Sequence, residues 1–150
     1  APPKPVAQPP VIEAPAQQAP AQPAAARPSL PTLIPPGAFP KDDDEAVLRA
    51  DELMRDYPND PRAHHSASLK AARANDLAAM ESAARRAVEL IDADPNNFKQ
   101  DYRLQMIGVR AFALAQLGRL AEAKSIARET CGAQIELPIK THLTSLKVCD

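Results

Sequence analysis

The sequence has no tryptophan, two tyrosines, three phenylalanines and only four glycines among its 150 residues. So few aromatic rings leave no stacking platform for bases, and no basic cluster accompanies them, so we expect no nucleic-acid site. So few glycines leave little room for a backbone-lined phosphate loop. No run approaches the roughly 20 apolar residues that a membrane-spanning helix needs. These absences predict a chain that binds no nucleic acid and does not itself insert into a membrane.

Motifs that carry catalysis or metal binding are also missing. His64 and His65 are adjacent, so on a helix their side chains point about 100° apart and do not readily share one ion. His142 is the only other histidine. The aspartates at 42–44 lack the alternation and the glycine of a calcium loop, and they suit a helix cap better. We therefore predict no enzyme, no metal and no cofactor, with both adjacent histidines exposed or facing a partner.

Proline divides the chain near residue 40. Thirteen of the 17 prolines lie at or before this position, where only three charged residues occur. Residues 1–40 have too few large apolar groups to offset the entropy of ordering them, so we predict a mostly disordered Pro/Ala-rich linker or tether. Residues 41–150, with 16 Lys and Arg against 18 Asp and Glu, are long enough for one small domain with a single core.

Cys131 and Cys149 are the only cysteines. Their spacing suits a disulfide that would hold the C-terminal segment and stabilise the fold by about 3 kcal/mol. The alternative is two free, half-buried thiols. A disulfide would place the chain in an oxidising compartment, either a bacterial periplasm or the exterior of the cell. The start at Ala1, followed by Pro and Ala, fits a cleaved signal peptide, a removed upstream anchor or a trimmed chain.

One stretch of the sequence occurs twice. Residues 75–85 and 118–128 both read as a turn followed by a helix of small residues. Apolar periodicity and caps predict five helices, at about 43–56, 61–74, 77–93, 98–117 and 119–130, and a C-terminal cap at 138–150. Repeated helix pairs do not bury their apolar faces alone, so we expect the copies to stack around a shared core. The predicted fold class is all-α.

The helix pairs resemble tetratricopeptide repeats over residues 43–131. The resemblance rests on the turns at 75 and 118, on small alanines at contact positions, and on the endings at 57–60 (Tyr-Pro-Asn-Asp) and 94–97 (Asp-Pro-Asn-Asn). It implies an antiparallel helix-pair stack that binds a protein or peptide. The fourth predicted helix is about two turns longer than the family pattern. We therefore expect a short, irregular bundle of five to six helices.

Arginines are the candidate binding residues within the helices, because a guanidinium can clamp a carboxylate of a bound peptide. Arg103 and Arg110 lie seven residues apart on one predicted helix face, and Arg85 and Arg86 lie on the preceding helix. Solvated helix faces are the alternative interpretation.

A second candidate lies just before the first helix, where Leu30, Leu33, Ile34 and Phe39 form the one sizeable apolar cluster of the Pro-rich segment. An extended Pro-rich strand of this kind resembles a ligand. We hypothesise that residues 29–39 lie along the groove of the helical domain, as a fixed brace or a displaceable pseudo-ligand. The alternative is a loose linker with incidental apolar residues.

Two functional hypotheses follow. The first is a non-catalytic protein- or peptide-binding scaffold, extracytoplasmic and displayed on a Pro-rich tether. The second is a regulatory or stabilising C-terminal appendage of a larger membrane protein, since alanine-rich paired helices with late cysteines are also similar to the tail of some bacterial rhomboid-type proteases.

Overall fold

In the computed structural model, which describes residues 33–150, every regular element of that range is helical. The all-α prediction is therefore confirmed for this part of the chain. The predicted tether up to residue 32, including Leu30, lies outside the described residues. The helices are α1 (Asp43–Leu48), α2 (Ala50–Asp56), α3 (Pro61–Arg73), α4 (Leu77–Ala93), α5 (Gln100–Gln116), α6 (Leu120–Ile126), α7 (Arg128–Gly132) and α8 (Pro138–Ser145), with single 3-10 turns at Pro36–Ala38 and Pro95–Asn97.

Aspartates start three of these helices, as the sequence predicts. Each stands immediately before its helix and accepts a hydrogen bond from a backbone N–H of the first turn, which otherwise has no partner within the helix. Two of the connecting turns need a left-handed residue, which Asn75 (φ 56°) and Gly118 (φ 86°) supply. The capping pairs are Asp42 with the N–H of Glu45, Asp60 with that of Arg62, and Asp76 with that of Ala79.

The prediction of five to six helices was too low, because two predicted helices are each divided by a bend. The first bends at Arg49 (φ −98°, ψ 6°) and the fifth at Ala127 (φ −84°, ψ 0°). At the first bend the Arg49 guanidinium donates to the Ala38 carbonyl at 2.9 Å and to Glu52 at 3.0 Å. The bend therefore lies where the segment before α1 is attached to the helices.

Helix α5 is the centre of the fold. It packs against α4, α6, α7 and α8, while α1 and α2 pack against α3, which in turn packs on α4. Its predicted apolar stripe is buried at Leu104, Ile107, Ala111 and Leu114, but Leu117 is exposed because it follows the last turn of the helix. One core therefore extends from α4 through α5 to the C-terminal cap.

Gly108 sets how closely α8 approaches α5. A side-chain carbon placed at this glycine would overlap the side chain of Ile139, and would have no room unless Ile139 or the whole of α8 moved. Ile139 is itself buried in the core. The missing side chain at position 108 thus allows the cap to seat directly on the central helix.

The C-terminal cap is joined to α7 by a disulfide between Cys131 and Cys149, whose Cα atoms are 5.4 Å apart. Leu143 and Val148 of the same segment are buried in the core. The backbone turns back after α8, where Lys147 adopts φ 65° and the Val148 N–H donates to the Leu143 carbonyl at 2.8 Å. The C-terminal segment is therefore held by both a covalent bond and apolar packing.

The domain begins earlier than the predicted boundary at residue 41. Ile34 is only 3% exposed and packs with Leu53 and Ala63 in a second, smaller cluster, to which Phe39 adds a partly buried ring. Leu33 is half-buried. Ile34 and Phe39 of the Pro-rich segment thus pack against α2 and the start of α3.

A buried carboxylate fixes this contact. Asp60 is fully buried and accepts hydrogen bonds from the Ile34 N–H at 2.7 Å, from the Arg62 N–H at 2.8 Å, and from the Arg62 guanidinium at 2.9 and 2.7 Å. The guanidinium lies over the rings of Phe39, 4.4 Å from its centroid, and Phe98, 5.3 Å away. One side chain therefore caps α3, neutralises an arginine and anchors the segment before α1.

Burial alone would raise the pKa of Asp60, but hydrogen bonds from Arg62 and from the Ile34 N–H outweigh burial and lower it. A carboxyl whose pKa is lower in the folded state binds fewer protons there than in the unfolded state. It therefore stabilises the fold above its unfolded pKa of about 3.9, and this stabilisation is lost as the pH falls through its folded pKa.

We predict that Asp60→Asn lowers the free energy of unfolding by about 3 kcal/mol at pH 7, because Arg62 then lacks its buried counter-charge. Urea unfolding followed by circular dichroism measures this. The matched control is Asp51→Asn, which removes an exposed partner of Lys70 and should change the stability by less than about 0.5 kcal/mol. The difference in the free energy of unfolding between wild type and Asp60→Asn should become smaller below pH 4. Equal effects of Asp60→Asn and Asp51→Asn would contradict the role assigned to Asp60.

We also predict that reduction of the Cys131–Cys149 bond lowers the stability by about 3 kcal/mol, since the bond closes a loop with a sequence separation of 18. Thermal melts with and without a reductant measure the change. The double variant Cys131→Ser/Cys149→Ser should start at the lower value and show no response to reductant. An unchanged melting temperature on reduction would mean that apolar packing alone seats the cap.

Candidate peptide-binding groove

A groove of about 410 Å³ runs between α3, α5 and α8. Each of these helices contributes a row of side chains at spacings of three or four residues, which places them on one helix face. The groove lies open between the helices rather than enclosed within them. Its apolar lining consists of Leu69, Ala72, Met80, Val109, Phe112, Pro138 and Ile139, and its polar lining of Asp43, His65, Ser68, Gln105 and His142.

His65 is the most strongly perturbed group of the groove. Burial lowers its pKa, and the nearby Asp43 carboxylate offsets part of this effect by favouring the imidazolium. The Tyr102 hydroxyl lies 3.4 Å from the His65 Nδ1, with the two rings tilted and their centroids 5.8 Å apart. Burial raises the pKa of Tyr102, which is therefore a neutral hydrogen-bond donor at physiological pH. The histidine is thus held neutral beside an apolar wall.

The other polar groups of the groove are oriented by the backbone. The Gln105 Oε1 accepts a hydrogen bond from the Ile139 N–H at 3.3 Å, which links α5 to the first turn of α8. Ser68 donates to the His65 backbone carbonyl at 2.7 Å and makes no bond to the imidazole, so the two residues do not form a nucleophile and base pair. His142 is exposed, and its ring packs edge to face with Phe112, with the two ring centroids 5.9 Å apart.

The two adjacent histidines diverge, as predicted, but only His65 reaches the groove. His64 is buried and its Nε2–H donates to the Pro58 carbonyl at 2.7 Å. The prediction that both histidines are exposed is therefore wrong for His64, because the turn at 57–60 folds back over its ring. His64 lines a separate cleft, so its facing a partner stays a prediction. Within residues 33–150 no group of three His, Cys, Asp or Glu side chains could hold a metal ion.

Arg103 and Arg110 lie on α5, but both are paired within the chain. The Arg103 guanidinium donates to Asp92 at 2.6 Å and to Glu129 at 3.2 Å. Arg110 donates to Glu81 at 2.8 Å and lies 3.8 Å from Glu122. Each arginine therefore connects α4 to a helix that follows α5. The two arginines lie two helical turns apart along α5. Neither lines the groove, and their role in the structure is to join three helices.

Arg85 and Arg86 lie on the outer face of α4 and are each half-exposed. Arg86 pairs with Glu89 at 3.2 Å, whereas Arg85 is 3.7 Å from Glu81. They line a different cleft from the one between α3, α5 and α8. The four arginines predicted as one set of binding residues thus separate into a structural pair and a surface pair.

Sequence reasoning did not identify the side chains that line the groove. The signal was present for α3 and α5, where residues 65, 69 and 72 and residues 105, 109 and 112 repeat at helical spacing. The contribution of α8 follows from its return to α5, which depends on Gly108 and on the packing of the cap. No local pattern in residues 138–142 indicates it.

We predict that Arg110→Gln lowers the free energy of unfolding by about 2–4 kcal/mol, because it removes the closest partner of Glu81, whose side chain is only 10% exposed. Arg103→Gln serves as the matched control on the same helix face. Both of its partners are substantially exposed, so its cost should be below about 1 kcal/mol. Urea unfolding of the two variants gives the comparison, and equal costs would show that the burial of Glu81 is not decisive.

Within residues 33–150 no helix combines the length and the apolar character needed to cross a bilayer. Comparisons with protein-family models, with curated proteins and with solved structures found no match to the chain.

Proposed function

We propose that the chain is a non-catalytic module that binds a protein or peptide segment in the groove between α3, α5 and α8. The observation that carries the proposal is the convergence of three helices on one open surface, each with a row of side chains at helical spacing. The groove is large enough for several ligand side chains. Its apolar walls favour apolar residues, and Gln105, His65 and His142 add hydrogen-bonding groups that orient the bound segment.

The helix order supports an irregular tetratricopeptide-like stack. In this interpretation α3 and α4 form one pair, α5 with α6 and α7 forms the second, and α8 is the cap. The first member of each pair, together with the cap, then provides the groove. The longer α5 and the bend at Ala127 account for the departure from a regular repeat.

An extracytoplasmic location is the second part of the proposal. Disulfides persist in oxidising compartments, and Cys131 and Cys149 are paired. The Pro/Ala-rich composition of the N-terminal segment suits a tether that displays the module at a distance from an anchor. We infer a periplasmic or secreted scaffold that captures its partner through the groove.

The groove is tested by adding bulk where the fold tolerates it. Ala72 is exposed, lines the groove and lies in the last turn of α3. We predict that Ala72→Arg weakens binding of groove ligands at least tenfold, or about 1.4 kcal/mol, by obstructing the apolar wall. The matched control is Ala93→Arg, which places the same exposed side chain in the last turn of α4, away from the groove.

The ligands are peptides selected on the wild-type chain from a phage-displayed random library and measured by fluorescence anisotropy. We expect selected peptides to share apolar residues, to bind the Ala93→Arg variant normally and to lose affinity for Ala72→Arg. The proposed function would be contradicted if no peptide were selected, or if the selected peptides bound both variants equally.

A further inference from the structure

A second cleft, of about 460 Å³, lies between α2, α3 and α4. The cleft and the groove lie on different sides of α3. His64 and Ala67 line the cleft, whereas His65 and Leu69 line the groove. Met54 of α2 forms its opposite wall. The two surfaces share no lining residue, so each can be altered without the other.

The floor of this cleft is made of small side chains. Ala79, Ser82 and Ala83 lie on one face of α4. They line the cleft together with Ala67 of α3. Small residues allow another helix backbone to approach closely, because no long side chain stands between the two axes. The shape of the cleft therefore suits a helix more than an isolated side chain.

The rim of the cleft carries more positive than negative charge. Arg85 and Arg86 have half-exposed side chains, at 49% each, and both line the cleft with Glu89. Glu89 pairs with Arg86. The nearest carboxylate to Arg85 is Glu81, and that charge is already matched by the shorter bond from Arg110. Arg85 thus shares Glu81 with Arg110, and its half-exposed guanidinium can also reach a carboxylate from outside.

A buried polar group of the same cleft also lacks a partner. His64 is 8% exposed and uses its Nε2–H for the Pro58 carbonyl. Within residues 33–150 no hydrogen bond reaches its other ring nitrogen, Nδ1. Buried polar atoms are usually satisfied, so a hydrogen-bonding group supplied by a bound partner would complete this site.

We propose that the cleft between α2, α3 and α4 binds an acidic amphipathic helix of a partner protein. The apolar face of that helix would pack on the alanines of α4, and its Asp or Glu side chains would pair with Arg85 and Arg86. This surface is distinct from the proposed peptide groove and does not depend on it. The chain would then hold two partners on two faces of α3.

The test uses two capped helical probes of identical length, built from four repeats of Glu-Leu-Ala-Ala or of Gln-Leu-Ala-Ala. Each is titrated into the isotopically labelled full chain, and amide chemical shifts are followed. We expect the Glu probe to shift amides of residues 79–89 and to bind more tightly than the Gln probe. Added salt should reduce the difference, because half-exposed charges are screened.

Arg85→Gln/Arg86→Gln should weaken the Glu probe roughly fivefold or more, as expected for the loss of two partly exposed charge pairs. The control Arg119→Gln/Arg128→Gln makes the same change of net charge at the starts of α6 and α7 and should leave the affinity unchanged. Ala72→Arg, which obstructs the groove, should also have no effect. The proposal would be overturned by an absence of shifts at millimolar probe or by shifts outside the cleft. Equal binding of both probes, or equal weakening by both double variants, would also overturn it.

Discussion

The buried carboxylate of Asp60 is the interaction on which the N-terminal half of the domain depends. Without it, the first turn of α3, the Arg62 guanidinium and the buried backbone N–H of Ile34 would each lose a hydrogen-bond partner. Because Arg62 also lies over Phe39 and Phe98, the same carboxylate fixes how two separate stretches of chain meet. The charged group is expensive to bury, but its hydrogen bonds and its pairing with Arg62 outweigh that cost, so it both joins these stretches and stabilises them.

The C-terminal half depends on α5 instead. Its apolar side forms the core, and its two arginines hold α4 on one side and α6 and α7 on the other. Since the arginines are committed to these pairs, their charge contributes to the fold, and the side chains that α5 presents to the groove, Gln105, Val109 and Phe112, are uncharged. In the proposed binding to the second cleft, Arg85 and Arg86 of α4 would supply the charge for recognition. The arginines that join the helices and those proposed for recognition then lie on different helices.

Local signals in the sequence were sufficient to place the main helices. The caps at Asp42, Asp60 and Asp76 and the turns at Asn75 and Gly118 act within a few residues, so their effects are readable without the fold. The bends at Arg49 and Ala127 were not readable, because tertiary contacts override helical propensity there. The same limit applies to the site: helical spacing indicates which residues share a face, but burial of His64 under the turn at Pro58 and the pairing of Arg110 with Glu81 arise only from packing.

Gly108 connects the interior of the domain to the shape of its outer surface. Ile139 occupies the space that a side chain at position 108 would need, so the close packing of α8 on α5 depends on the absence of a side chain there. Pro138, Ile139 and His142 line one side of the groove. A side chain at position 108 would displace Ile139, and so would move a groove-lining residue from inside the domain. In the proposed function, ligand selectivity could therefore change through a core position that is not itself part of the groove surface.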